Sequence, residues 1–328
     1  MNKELVELVP APPLRTPPGT PVPLTTILAD DGLKIKWLWG SADGGLIPEE
    51  DITLLCSYSG EGKTLLSFHL AAALSVGGAC LNLPAAGPFT TLIMTETSKR
   101  QVRKIFSQVE EVDPERIFII FSNSGVTELG LRIALERLRP EVLIIDSLTS
   151  AVPILGVHGT GPIDWFAPTH ATAVGGWLRR LQETFHLRSV LALAHLNKVR
   201  VEPGESRRRP TLHDVRGSGA VVEQVDGVIH LTPSLSGEPG MLTVLKDRTD
   251  EAIQQWGFVY DSLSGRLVAG NQVPITDEAI LTLVRQGVVS TTDMAHRFRR
   301  RKQVVQQWIA GMVERGLLHR EGKVLTCV

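Results

Sequence analysis

Short runs of β-branched or leucine-rich residues recur along the chain at 52–56, 91–94, 117–121, 142–145, 190–194 and 228–231, with 242–245 closing the series. Amphipathic stretches such as 99–109 and 127–138 lie between several of them. Strand and helix patterns in alternation predict an α/β domain with a mostly parallel sheet, its functional loops at the C-terminal strand ends. The pattern begins at about Trp37. Upstream, residues 1 to about 25 hold seven prolines (Pro10, Pro12, Pro13, Pro17, Pro18, Pro21, Pro23) without periodicity, which predicts an extended, poorly ordered arm. Two long connections interrupt the alternation, at about 150–171 and 199–217, and loops of that length in a compact domain are functional or mobile. The second carries Arg207, Arg208 and Arg209. That run reads either as a phosphate contact or as a solvated charged loop.

From about 274 the character changes. Residues 275–285 read as one helix, and Ser290-Thr291-Thr292-Asp293 is a start signal for a second. A third has apolar residues at Val304, Val305, Trp308, Ile309, Met312 and Val313, at helical spacing. Gly316 ends it, and 317–325 reads as a hairpin turning at Glu321-Gly322. Three helices and a hairpin in this order predict a winged helix-turn-helix. The expected organisation is therefore an arm at 1–25, an α/β domain at 30–270 and a winged helix at 274–328.

The junction after the first strand holds Ser57-Tyr58-Ser59-Gly60-Glu61-Gly62-Lys63-Thr64, followed by a helix-forming stretch from Leu65. A strand, a small-residue loop ending in Gly-Lys-Thr and a helix form the phosphate-binding loop of nucleoside triphosphatases. Small residues let consecutive backbone N–H groups from Ser59 to Leu65 converge on phosphate, and the helix N-terminus adds partial positive charge. Lys63 can reach the β- and γ-phosphates, and the Thr64 hydroxyl can hold Mg²⁺. ATP and Mg²⁺ are the expected cofactors, though no adenine-reading residue stands out. Serine at 57 replaces the glycine that opens the strict motif, and it would be strained if its backbone needed an angle only glycine tolerates. Glu61 puts a negative charge near the phosphates or points to water.

Two more strand ends carry carboxylates. Asp146 follows the apolar run 142–145, the position from which an ATPase carboxylate holds Mg²⁺ across from Thr64. Glu96 follows the run 91–94, where it suits a general base that polarises the attacking water; the alternative is a helix-initiating acid before Ser98.

Composition narrows the setting. Of 328 residues, 43% are hydrophobic and 21% charged, as in globular proteins with a substantial core. The three cysteines (Cys56, Cys80, Cys327) lack metal-ligand spacing, which argues against a zinc site or disulfide framework and for a reducing cytoplasm. No stretch reads as a signal peptide or membrane span. The formal net charge of −1 hides an asymmetry: from 274 onward nine Lys/Arg face five acids, +4 against −5 elsewhere. The basic run 297–302, including Arg299, Arg300, Arg301 and Lys302, falls at the turn and start of the would-be recognition helix. It suits DNA contact, or a protein-binding winged helix with a solvated edge.

The ordered set of motifs resembles the RecA-like ATPases of the RepA type, relatives of hexameric replicative helicases. It comprises Trp37-Leu38-Trp39-Gly40, the phosphate loop, Glu96, Asp146, Ala194-His195-Leu196-Asn197-Lys198, Arg216-Gly217-Ser218-Gly219-Ala220 and Lys246-Asp247-Arg248, and spans about 35–270. The resemblance implies a RecA-like P-loop core, with His195 as a sensor of the γ-phosphate that reports to DNA-binding loops. It implies that Lys246 and Arg248 reach a neighbouring subunit's site as a trans-acting finger, and that 216–219 opens a helix lining an interface or pore. A satisfied core histidine and exposed strand ends are the plain alternatives. The departures are Ser57 and a single histidine where many relatives carry a pair.

The resemblance also implies a ring, usually of six copies, with DNA as partner: a single strand through the ring, and duplex at the winged helix. A helicase or single-strand translocase is the leading expectation, with Trp165 in the first long loop available for base stacking. The other readings are a nucleotide-switched DNA-binding regulator without unwinding, using 299–307 for recognition, and a recombinase-like filament.

Overall fold

The computed structural model describes residues 23–28, 34–151, 167–197, 210–216, 219–234, 239–261, 266–269, 277–285, 290–298, 302–321 and 324–327. These fall into two compact units, Met1–Ile35 and Lys36–Val328. In the first, a short helix α1 (Leu24–Leu28) begins directly after Pro23, whose carbonyl accepts the Thr26 N–H at 2.9 Å. The extended arm expected through residue 25 therefore gives way to helix once the last proline ring is passed. Residues 1–22, the bulk of that expectation, lie outside the described residues.

The second unit opens with β1 (Trp37–Ser41), β2 (Gly44–Pro48) and β3 (Ile52–Ser57), then α2 (Lys63–Val76). Next come β4 (Ala79–Cys80), β5 (Leu83–Pro84), β6 (Thr91–Thr95), α3 (Lys99–Phe106), β7 (Ile117–Phe121), α4 (Glu128–Leu138), β8 (Val142–Asp146) and α5 (Leu148–Ala151). After these follow α6 (Pro168–Phe185), β9 (Ser189–His195), α7 (Gly219–Gln224), β10 (Gly227–Thr232), β11 (Gly240–Lys246), β12 (Gln255–Asp261) and β13 (Arg266–Ala269). A helical and hairpin segment closes the chain: α8 (Asp277–Arg285), α9 (Thr291–Phe298), α10 (Lys302–Glu314), β14 (Leu318–Glu321) and β15 (Val324–Cys327).

Nine strands form one sheet in the order β13-β12-β11-β10-β3-β9-β8-β6-β7. From β10 to β7 every pairing is parallel, and β11, β12 and β13 extend the edge antiparallel. This is the expected α/β architecture with a mostly parallel sheet. Each apolar run expected as a strand is one, usually a residue or two longer. Both faces are covered, so alternate residues feed two cores. On β8, Leu143 and Ile145 pack on one side with Leu131 of α4 and Leu178 of α6. Val142 and Ile144 pack on the other with Phe68 and Leu74 of α2. The β1–β2 hairpin joins that second core through Leu38, Trp39 and Leu46.

The long connections are partly structured. The first is bounded by α5 and by α6, which starts at Pro168, leaving 152–166 and Trp165 outside the described residues. In the second, 210–216 is described, and Asn197 N–H donates to Asp214 O at 2.7 Å while Arg216 N–H donates to His195 O at 2.7 Å. Residues 198–209, with Arg207, Arg208 and Arg209, lie outside, as do Gly217 and Ser218. Among the described helices none is long and apolar enough to cross a membrane.

From 277 onward, three helices and a two-stranded hairpin share their own apolar cluster, including Ile280, Met294, Val305, Ile309, Met312, Leu318 and Leu325. Trp308 stays 41% exposed, and its indole N–H donates to Asp277 Oδ1 at 2.8 Å, beside the two bonds from Arg315. Arg299, Arg300 and Arg301 lie outside the described residues, and Lys302 is the first residue of α10.

At the N-terminal end of β3, buried Asp226 fixes the sheet. Its carboxylate accepts the Ile52 N–H at 2.9 Å, two bonds from Arg179 and one from Arg248 at 2.7 Å. Asp51 lies beside it with Oδ2 buried and unpaired. Burial pushes the Asp51 carboxyl up from 3.8 to about 7, the Asp226 and Asp247 charges adding to the shift and Arg179 and Arg248 opposing it. The folded protein thus holds a proton that the unfolded chain has released, and the associated stability is lost as pH rises from the unfolded value through about 7. Asp51→Asn, which stays neutral, should gain in Tm relative to the wild type between about pH 5 and about pH 8, the difference widening as the wild-type carboxyl ionises. Equal differences at both pH values would contradict the assignment.

Candidate active site

Parallel strands deliver their C-terminal ends to one edge, and four neighbours there carry the expected chemistry. β3 leads into the phosphate loop, β9 ends at His195, β8 at Asp146, and β6 at Thr95 followed by Glu96. Register pairs Ser57 with His195 and Thr95 with Asp146.

The loop takes its shape from two glycines. Gly60 and Gly62 have φ of 80° and 98°, a left-handed conformation that side chains disfavour. Gly62 caps α2, and the first intrahelical bond runs from Leu66 N–H to Gly62 O at 2.9 Å. Helix geometry leaves the N–H groups of Lys63, Thr64 and Leu65 without an intrahelical acceptor, as phosphate binding needs. Ser59 and Gly60 are exposed at the tip. Ser57 is buried as the last residue of β3 and is not among the residues with positive φ. The strain anticipated for serine here is absent because this position is extended strand.

Lys63 is buried, and its ammonium donates to Ser57 O (3.1 Å), Ser57 Oγ (3.0 Å) and Tyr58 O (3.0 Å). Burial lowers its pKa, against the opposing charges of Glu61 and Asp146. His195 Nδ1 lies 3.3 Å from Lys63 Nζ. Burial first, then Lys63 and Arg216, lower the His195 pKa, so the neutral ring presents Nδ1 as acceptor to the ammonium. Glu61 does not point freely to water: Oε2 accepts the Tyr58 N–H at 2.9 Å, bracing the loop from within.

Asp146 sits among hydroxyls. Oδ1 accepts from Thr64 Oγ1 at 3.0 Å, and Oδ2 accepts from Thr95 Oγ1 at 2.7 Å and Thr97 Oγ1 at 3.4 Å. Burial raises its pKa, opposed by these three bonds and by Lys63. Glu96 is exposed next to it, its N–H donating to Asp146 O at 3.0 Å. Burial and the Asp146 charge raise the Glu96 carboxyl above its ordinary value, the direction expected of a base tuned toward neutrality.

The family described as an AAA domain matches residues 34–201, the stretch from the hairpin before β3 through His195. The chain belongs to this AAA domain family. Family and site together make it an ATP-hydrolysing enzyme. No curated protein sequence matches the chain. Among solved structures, the ATPase domain of G40P is similar at 15% identity over 67% of this chain and 85% of that one, TM-score 0.49. A DnaB-like replicative helicase, described with its interactions with primase, is similar at 16% identity over 66% and 57%, TM-score 0.49. The KaiC-like protein PH0186 from Pyrococcus horikoshii OT3 is similar at 15% identity over 72% and 98%, TM-score 0.45.

The remaining candidates lie beyond the matched residues. Lys246 Nζ donates to the carbonyls of Val222 (2.7 Å), Glu223 (3.4 Å) and Val225 (2.6 Å), capping the end of α7. Arg248 is paired with Asp226 and the Glu223 carbonyl. Register sets Val228 of β10 opposite both Lys246 and Leu54, three residues short of Ser57, and Arg248 lies further toward the N-terminal end of β3. Both therefore sit away from their own phosphate loop.

The hydroxyls of Thr95 and Thr97 were not foreseen as partners of Asp146, because only strand register brings them to it. His230 was missed too. It is buried on β10, opposite Cys56, with its pKa lowered to about 4 by burial, Asp214 opposing and Lys63 adding to the shift.

The oxygen pair of Thr64 and Asp146 fits Mg²⁺, which takes one or two protein oxygens and fills its shell with water and phosphate. Among the described residues no group of three or more His, Cys, Asp or Glu side chains could hold a metal by itself. Asp146→Asn should reduce Mg²⁺-dependent hydrolysis about 10²-fold while leaving Mg²⁺-free nucleotide binding nearly unchanged. Parallel titrations of ATP affinity and turnover with Mg²⁺ separate the two effects.

Proposed function

We propose that this AAA domain protein is a DNA-stimulated ATPase of the RepA-like type, a helicase or single-strand translocase that hydrolyses ATP between subunits of a ring. The observation that supports the reading is Lys63, His195, Asp146 and Glu96 together on one sheet edge, with Asp146 bonded to Thr64 of the phosphate loop.

On ATP binding, Lys63 exchanges the Ser57 and Tyr58 oxygens for those of the β- and γ-phosphates, and the first N–H groups of α2 bind the same anion. Mg²⁺, held by Thr64 and Asp146, neutralises charge on the phosphates when bound. Glu96 takes a proton from the attacking water. His195, now beside Lys63, feels the γ-phosphate, and the ties from Asn197 and His195 to 214–216 carry its state to the connection at 198–209.

In a ring a second copy would complete the site: Lys246 and Arg248 are remote from their own loop, and the Arg248 side chain, 52% exposed, would exchange Asp226 for a neighbour's phosphates. Six copies are the expected number. The connections at 152–166 and 198–209, with Arg207, Arg208 and Arg209, contact the strand. The module at 277–327 is a winged helix in which α10 and the preceding residues 299–301 meet duplex DNA.

The test is ATP hydrolysis with and without single-stranded DNA of arbitrary sequence. Wild type should be stimulated by the strand, Lys63→Ala should be inactive, and Glu96→Gln should lose about 10²- to 10⁴-fold in kcat while retaining nucleotide. Nucleotide binding without hydrolysis in either condition would instead establish a nucleotide-switched DNA-binding regulator.

A further inference from the structure

We propose that the outer face of α3 is a contact surface for the phosphate backbone of single-stranded DNA, additional to the two long connections. The proposal rests on the motor reading above for the identity of the strand.

Helix α3 reads Lys-Arg-Gln-Val-Arg-Lys-Ile-Phe. Alone among the described helices it carries four cations and no acid. At about 100° per residue, Lys99, Arg100, Arg103 and Lys104 fall in an arc of about 140°, and all four are exposed. The opposite side is anchored: Val102 is buried, Ile105 and Phe106 pack on the core, and the Phe106 ring stacks on Phe68 at 5.4 Å. The helix cannot roll its cations inward. Its start is fixed by a capping box between Ser98 and Gln101, whose side chains hold the first turn in place.

Those cations are uncommitted among the described residues. None forms an ion pair there, and the one ring contact is Lys99 over Phe121 at 5.6 Å. By contrast, α4 pairs Arg132 with Glu128, and Arg179 and Arg248 are spent on Asp226. An unneutralised group of four positive charges on an anchored helix attracts a polyanion. The cations form two i, i+4 rows, Lys99/Arg103 and Arg100/Lys104, with about 6 Å between rungs. A chain of repeated phosphates suits such rows better than a single anion.

Placement selects nucleic acid. α3 leaves the C-terminal end of β6, next to β8 and β9, whose own ends lead into 152–166 and 198–209. α3 therefore departs from the same sheet edge at which β8 and β9 end. The helix also follows Glu96 by only two residues, so a strand bound there lies next to the hydrolytic site.

The experiment uses the full-length protein and a fluorescent oligothymidylate, with affinity measured across a series of salt concentrations. Each phosphate contact contributes about 0.7 to the slope of log Kobs against log salt for single strands. Arg100→Ala/Lys104→Ala should make that slope shallower by about 1.4, with strand-free ATP hydrolysis and particle mass unchanged. Arg132→Ala/Arg137→Ala on α4, which removes the same formal charge, should leave the slope as it is. An unchanged slope in the α3 variant, with wild type still bound and stimulated by the strand, overturns this proposal and leaves the motor reading standing. A changed particle mass with an unchanged slope also overturns it, and makes α3 a contact between copies. Failure of the wild type to bind the oligonucleotide at all removes both proposals.

Discussion

Six parallel strands with both faces covered leave polar chemistry almost nowhere to go except the strand ends. Inside the sheet the backbone groups satisfy one another and most side chains are apolar, so a buried charge there would lack partners. At the C-terminal edge each strand releases its chain into a turn, and β3, β9, β8 and β6 do so side by side. Neighbouring strands lie about 4.8 Å apart, so Ser57, His195, Asp146 and Thr95 span a row of about 14 Å. That row is the candidate active site, and its width is set by hydrogen-bond spacing before any side chain is chosen.

Two buried charges of opposite sign then define the candidate site. Lys63 is surrounded by oxygens that accept, and Asp146 by hydroxyls that donate. Neither is locked in a direct ion pair with the other. An ammonium held by neutral carbonyls is already withdrawn from bulk water, and phosphate oxygens are stronger acceptors than the carbonyls they displace. The opposite end of β3 is arranged differently. There Asp226 binds two guanidinium groups and a backbone N–H at once, which fixes β3 relative to α6 and β11. One end of the strand is built to exchange partners and the other to keep them.

Much of this was legible along the chain. Strands buried on both sides read as continuous apolar runs, and the nucleotide loop consists of consecutive residues whose roles depend on neighbours in sequence. Asp146 and Glu96 were readable because each follows such a run directly. Whether Ser57 would be strained could not be read from the chain, since the motif records a glycine without recording the backbone angle, and that angle here is ordinary strand. Glu61 was read as a loop charge, but its part in bracing Tyr58 needed the turn itself. The β1–β2 hairpin was noted only as a tryptophan-rich lead-in, because its pairing is local and too short to show periodicity.

Sequence alone determined the elements, the phosphate loop and the residue types that could do the chemistry, because each depends on local spacing of 2 or 3.6 residues or on contiguous backbone. Tertiary structure alone decided which of those residues meet. The hydroxyls of Thr95 and Thr97 reach Asp146 through the register of β6 on β8, His230 approaches Lys63 through the order of β10 and β3, and Lys246 and Arg248 are turned away because β11 runs antiparallel. Strand order and register come from how the whole set of apolar faces is buried, and no local stretch of chain encodes that choice.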